Sequence, residues 1–160
     1  MRITKQIADQ VAVSMLAKKS EKLDQVKDQL KKELHEACIK TIPSDVLDMY
    51  SNYPDFFTYS RYCRFEGYSH DIGGYLPSAH GTNFIIEPTE KIKSLVKLKT
   101  AKEKEIEQLR KEIYNIVLSA KTANNLKKIM PKAVDFIKVE ADLYLPAVNI
   151  EDLMGRIEQE

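Results

Sequence analysis

In the stretch TYSRYCRFEGY, residues 58–68, the pattern of the chain changes. Around it the apolar residues recur at helical spacing, and here the period falls to two. Read as an extended strand, Tyr59, Arg61, Cys63 and Phe65 fall on one side. Ser60, Tyr62, Arg64, Glu66 and Tyr68 fall on the other. Rings on both faces predict a strand buried on one side and covered or liganded on the other. Gly67, Gly73, Gly74 and Gly81 follow closely and mark tight turns between short extended pieces. Asn83-Phe84-Ile85-Ile86 reads as a returning strand, so a small antiparallel sheet is expected.

The strand lies within an aromatic segment, Tyr50 to Tyr75, that holds six of the eight tyrosines together with Phe56, Phe57 and Phe65. Aromatic rings bury large areas and keep a polar handle, so this cluster is either a small core or a contact surface. The Tyr50–Phe57 part reads as core, with a partner-binding patch as the alternative. Pro43 stops the preceding helix, Ser44 is placed to cap a short one through Tyr50, and Tyr53-Pro54-Asp55 signals a turn.

On the N-terminal side, Thr4 is a candidate cap for a helix whose stripe is Ile3, Ile7, Val11 and Met15. A second stripe runs Leu23, Val26, Leu30, Leu34, Ala37. No Gly or Pro divides the two, and a break near Ser20 is expected because Ser20 can cap and Glu21 suits a first turn. On the C-terminal side, Pro88-Thr89-Glu90 opens the longest helix. Its seam begins at Ile92 and Leu95, lapses at Lys99 and Lys102, and resumes at Ile106, Leu109, Ile113, Ile116 and Ala120. Such a helix packs on the N-terminal helices as an antiparallel hairpin, or on a second copy of the chain. Thr122 caps a short helix, Pro131 begins another, and a turn at Leu145-Pro146 precedes a last one starting at Asn149.

Composition narrows the function classes. Hydrophobic residues make up 43% and charged residues 31%, a soluble mixture tilted toward helix formers. The net charge of +1 offers no overall basic footprint for nucleic acid. Residues 1–10 contain Asp9 and Gln10, and no stretch approaches 18 apolar residues, so neither a signal peptide nor a membrane span is expected. Cys38 and Cys63 lack C-x-x-C spacing and read as reduced thiols of a cytoplasmic protein. No metal or other cofactor is expected, and none of the familiar nucleotide, hydrolase or zinc motifs occurs.

The residues with chemistry to offer lie in the middle: Tyr59, Arg61, Tyr62, Arg64, Tyr68, His70, Asp71 and His80. Arginine forks hold phosphate, and tyrosine rings stack on bases or ribose. The plainer reading lays each Arg over a Tyr ring and pairs it with Glu66, Asp55 or Asp71. His70 beside Asp71, or His80, could serve as acid–base groups, with Ser69 or Ser78 as nucleophiles. Against this, neighbouring residues in a chain usually point apart.

The opening MRITKQI (1–7), the segment TANNLKKIMPKAVDFI (122–137) and the closing LPAVNIEDL (145–153) resemble the nucleotide-modification-associated domain family of the fifth type, a group of small bacteriophage and prophage proteins. The resemblance implies a virus-encoded accessory protein acting in the host cytoplasm, and it brings no catalytic residues with it. The expected architecture is α+β, mainly α, in one domain over 1–160. It has N-terminal helices in 1–50, an aromatic and Gly-rich β segment in 51–87, a long helix in 88–121 and short C-terminal helices in 122–160. The expected function is non-catalytic: binding a host or phage protein, or a nucleotide-like ligand, so as to interfere with host defence or support DNA modification. An enzyme acting on nucleotides or modified DNA is the first alternative, and a nucleic-acid-binding protein the second. A homo-oligomer formed through the long helix is compatible with each.

Overall fold

Thr4 opens the first helix, its Oγ1 accepting from the Ile7 amide at 3.3 Å. In the computed structural model, which describes residues 1–137, the chain then runs through α1 (Lys5–Met15), α2 (Ala17–Ile39) and α3 (Ser44–Asn52). A hairpin follows, β1 (Tyr59–Phe65) and β2 (Tyr68–Pro77), then a short strand β3 (Phe84–Ile85). The helices α4 (Glu90–Ala120), α5 (Ala123–Ile129) and α6 (Pro131–Val134) complete the described chain. The protein is α+β and mainly α, as the periodicities indicate. The turn at Leu145-Pro146 and the helix expected from Asn149 lie outside the described residues.

Thr89 Oγ1 accepts from the Ile92 amide at 3.2 Å and starts α4, which continues for 31 residues because no Gly or Pro interrupts it. At 1.5 Å per residue it is about 46 Å long. The helices α1 and α2 lie along it end to end and antiparallel. Asp9 pairs with Arg110 at 2.8 Å, Lys19 pairs with Glu105 and Glu33 with Lys91, so numbers rise on one side as they fall on the other. The seam of α4 is covered within the chain at its two ends, while Ile106, Leu109 and Ile113 are half-buried and Ile116 is exposed. Ile92 and Leu95 are buried at one end, Val117 and Ala120 at the other. Lys99 and Lys102 sit half-buried between them, with Glu103 within 3.9 Å of Lys99 and 3.6 Å of Lys27.

The break between α1 and α2 falls at Leu16, not near Ser20. Leu16 leaves helical geometry at φ −95°, ψ 3°, while its side chain stays buried. The Ser20 amide donates to the Leu16 carbonyl at 2.9 Å, so Ser20 lies in the first turn of α2 and caps nothing. A one-residue kink at an anchored leucine needs neither Gly nor Pro and leaves no mark in the sequence.

Two cores result. One joins α2, the sheet and the first turns of α4, around Leu34, Cys38, Cys63, Ile72 and Ile92. The other joins α1, the end of α4 and α5, around Val11, Val117 and Leu126. The N-terminus closes the second core: Ile3 N donates to Lys121 O at 2.9 Å and Ala123 N to Met1 O at 3.0 Å.

The sheet has the order β2-β1-β3 and is mixed rather than wholly antiparallel. β2 ends beside the start of β1, and the chain crosses there through a single 3-10 turn at Ala79–Gly81. Continuing from that end, β3 must run the same way as β1. At the other end, Glu66 (φ 50°) and Gly67 (φ 81°) form a two-residue hairpin loop with both residues left-handed.

Candidate functional site

The regular alternation expected through β1 is interrupted at Arg61. Ser60 pairs with Leu76 and Tyr62 with Asp71, so Arg61 alone faces the four residues Ile72–Tyr75 of β2. Gly73 makes the bulge feasible. Its φ of +76° is left-handed, and a Cβ there would lie 3.1 Å from Lys31 Cβ. The bulge resets the faces. Ser60, Cys63 and Phe65 point inward, and Tyr62 and Arg64 point outward. Arg61 thus does not share the buried side with Cys63 and Phe65, as strict alternation requires.

The bulge also fixes what Arg61 does. Its Nη2 donates to Asp71 Oδ2 at 2.6 Å and its Nε to Oδ1 at 3.4 Å, while the Gly73 amide donates to the same Oδ1 at 2.8 Å. The guanidinium carbon lies 5.5 Å from the Tyr75 ring centroid and 6.0 Å from that of Tyr62. The Arg61 hydrogen bond holds the Asp71 carboxyl below the usual carboxylate range, and Asp71 and then Tyr75 push the guanidinium up. The ion pair is internal to the hairpin, which is the plainer of the two readings of Arg61. Arg64 differs: it is exposed, and among the described residues no carboxylate lies within ion-pair distance of it.

His70 and Asp71 are separated by strand geometry. Asp71 pairs with Tyr62 on the outward face, while His70 pairs with Cys63 and stacks on Phe65, ring centroids 4.1 Å apart and planes at 8°. Burial, and then Lys99, hold the His70 imidazole below its ordinary value. His80 stands exposed in the crossing turn at φ 54°. Ser69 Oγ lies 3.5 Å from Asn83 Nδ2, and Ser78 Oγ donates to the Thr82 carbonyl. No serine–histidine or histidine–carboxylate pair is assembled among the described residues. Nor is any group of three or more His, Cys, Asp or Glu placed there to hold a metal. Cys38 and Cys63 are free and fully buried, and the hydrogen bond with Cys63 together with burial pushes the Cys38 thiol up.

The Tyr50–Phe57 cluster is not core. α3 contributes no buried residue, and its Ser44 does not cap it. Tyr50 meets Phe57 and Tyr59 edge-to-face at 5.9 and 5.8 Å, and the Tyr59 hydroxyl donates to the Pro54 carbonyl. Met49, Tyr53 and Phe56 stay exposed beside them. Of the thirteen large hydrophobic side chains exposed among the described residues, eight lie between Met49 and Ile85. Exposed apolar surface is therefore concentrated on this one segment. Tyr59, Tyr62 and Tyr68 all contribute, and Tyr68, at the hairpin tip, is 72% exposed. Tyr75, 61% exposed, belongs with them and is not singled out by sequence reasoning. The Gly73-Gly74 pair beside it was the available signal, because a bulge re-aims the side chains next to it.

No family model, curated protein or solved structure matches the chain. Among the described residues, no helix is long and apolar enough to cross a membrane.

Proposed function

We propose that this chain is a non-catalytic binding protein whose recognition surface is the outward face of the hairpin: Tyr62 and Tyr75 about the Arg61–Asp71 pair, with Arg64 beside them and Tyr68 at the hairpin tip. The observation that carries the reading is the exposure of these rings on a frame whose polar groups are already satisfied. Rigid, amphipathic tyrosines give contact area at small entropic cost, and an unpaired arginine adds a directional donor to the partner. The face is broad and open, which suits a protein partner better than an enclosed small molecule. The resemblance at the chain ends implies a phage accessory factor, and on that reading binding a host or phage protein would interfere with defence or support DNA modification.

The test is native mass spectrometry of the tagged chain recovered from phage-infected cells. The wild type should carry a retained partner mass, and Tyr62→Ala/Arg64→Glu/Tyr75→Ala, folded by circular dichroism, should lose it. His70→Ala and His80→Ala should keep it. Loss of function in the histidine variants with the face intact would instead favour an enzyme.

A further inference from the structure

Of the two edge strands of the sheet, β2 and β3, it is β3 whose far side carries no paired strand and an exposed isoleucine among the described residues. In a parallel pair, residues alternate between bonding to the neighbour and facing away from it. Arg64 is paired with Ile85 and accepts from the Ile86 amide at 3.3 Å. By that register the N–H and C=O of Phe84 face β1, whereas both groups of Ile85 face outward. Ile85 is 84% exposed, so nothing among the described residues covers it. By the same alternation Glu87 is the next outward position, before Pro88, which has no N–H, ends the edge. Soluble proteins usually blunt a free edge with charge, proline or a covering element, and a β-branched apolar residue left open there invites another strand.

Beneath this edge runs a groove of about 250 Å3, between the end of α2 and the start of α4. Ile86, Ala37 and Ile92 give it an apolar floor, and Glu33, Glu36 and Glu87 line it against the single Lys40. Lys91 already pairs with Glu33. Glu36 and Glu87 have no ion-pair partner among the described residues. A strand laid on Ile85 would turn alternate side chains into this groove, and the charge there selects a cation on an aliphatic stem.

We propose that the β3 edge takes up an extended segment of a partner protein as a fourth strand. Main-chain hydrogen bonds to Ile85 hold the segment, and one of its lysine or arginine side chains enters the groove between β3 and α2. This contact uses backbone and glutamates, and it does not depend on the tyrosine face.

The probe is a displayed library of randomised peptides of about ten residues, a little longer than a typical strand, selected against the full chain. Enriched peptides should alternate β-branched residues and carry a Lys or Arg. By fluorescence anisotropy, Ile85→Pro and, separately, Glu36→Lys/Glu87→Lys should each weaken an enriched peptide about tenfold or more, the scale of losing a main-chain or charge-assisted hydrogen bond. Tyr62→Ala/Tyr75→Ala should bind it as the wild type does. The two glutamates are exposed, so that variant keeps the test decisive if Ile85→Pro fails to fold. Three outcomes would overturn the proposal: no alternating basic consensus, binding indifferent to Glu36→Lys/Glu87→Lys, or an edge filled by a second copy of the chain, seen in sedimentation as a dimer abolished by Glu36→Lys/Glu87→Lys.

Discussion

Gly73, Arg61 and Asp71 show how single residues build the outward face of the hairpin. Gly73 supplies a left-handed backbone, and α2 passes too close for a Cβ to enter freely. Gly73→Ala should therefore destabilise the fold by at least about 1 kcal/mol, read as a lower urea midpoint. Asp71→Asn should remove the charge that pins Arg61 and lower the Tm, more at neutral than at acid pH. With its folded pKa lowered, Asp71 contributes stability above the ordinary carboxylate range, and that stability is lost as pH falls through the folded value. His70 acts from the other side of the sheet. Its folded pKa is also lowered, but here the neutral form is the favoured one. The unfolded chain takes up the proton first, so stability is full above the ordinary imidazole value and declines as pH falls through the window below it. His70→Gln should flatten that decline in Tm measured from about pH 8 to about pH 5. The laying of Arg61 over tyrosine rings was one of two readings of the sequence, and Asp71 one of three carboxylates it offered as partner. The separation of His70 from Asp71 follows from strand alternation alone, whereas the face on which Arg61 lies depended on a bulge whose local trace is the Gly73-Gly74 pair.

At the scale of elements, the helices were legible because their signals are local. Thr4, Thr89 and Thr122 all cap as their positions indicate, and the stripes of α1 and α2 supply core residues, whereas α4 buries Ile92, Leu95 and Ala120 of its expected seam and leaves Ile116 exposed. Leu34, fully buried in the stripe of α2, should cost about 2–5 kcal/mol when cut to Ala, measured by denaturant unfolding. The sheet was less legible. A two-residue strand carries too little pattern to fix its direction, and the parallel pairing of β3 follows from where the chain crosses. The hairpin loop places Glu66 at positive φ, where Asn is better tolerated, so Glu66→Asn should raise the Tm without altering the face. The break at Leu16 and the exposure of α3 were not readable, because both are set by what the rest of the molecule leaves uncovered. An aromatic cluster looks the same in sequence whether it is buried or presented.

Across the whole molecule, α4 is a beam with a core at each end and a charged belt between. One end is tied off by the N-terminus and α5, and the other carries the sheet. That arrangement packs the hairpin's inward face on α2 and α4 and leaves its outward face open, as a pre-organised binding surface requires. On the proposed reading, this face is where a partner sits. The most direct measurement is the tyrosine-modification footprint of the chain, free and in the complex recovered from phage-infected cells, read by peptide mass spectrometry. If this is the binding face, Tyr62, Tyr68 and Tyr75 label readily in the free chain, and Tyr62 and Tyr75 are protected in the complex. Equal labelling of those two tyrosines in both states would contradict it.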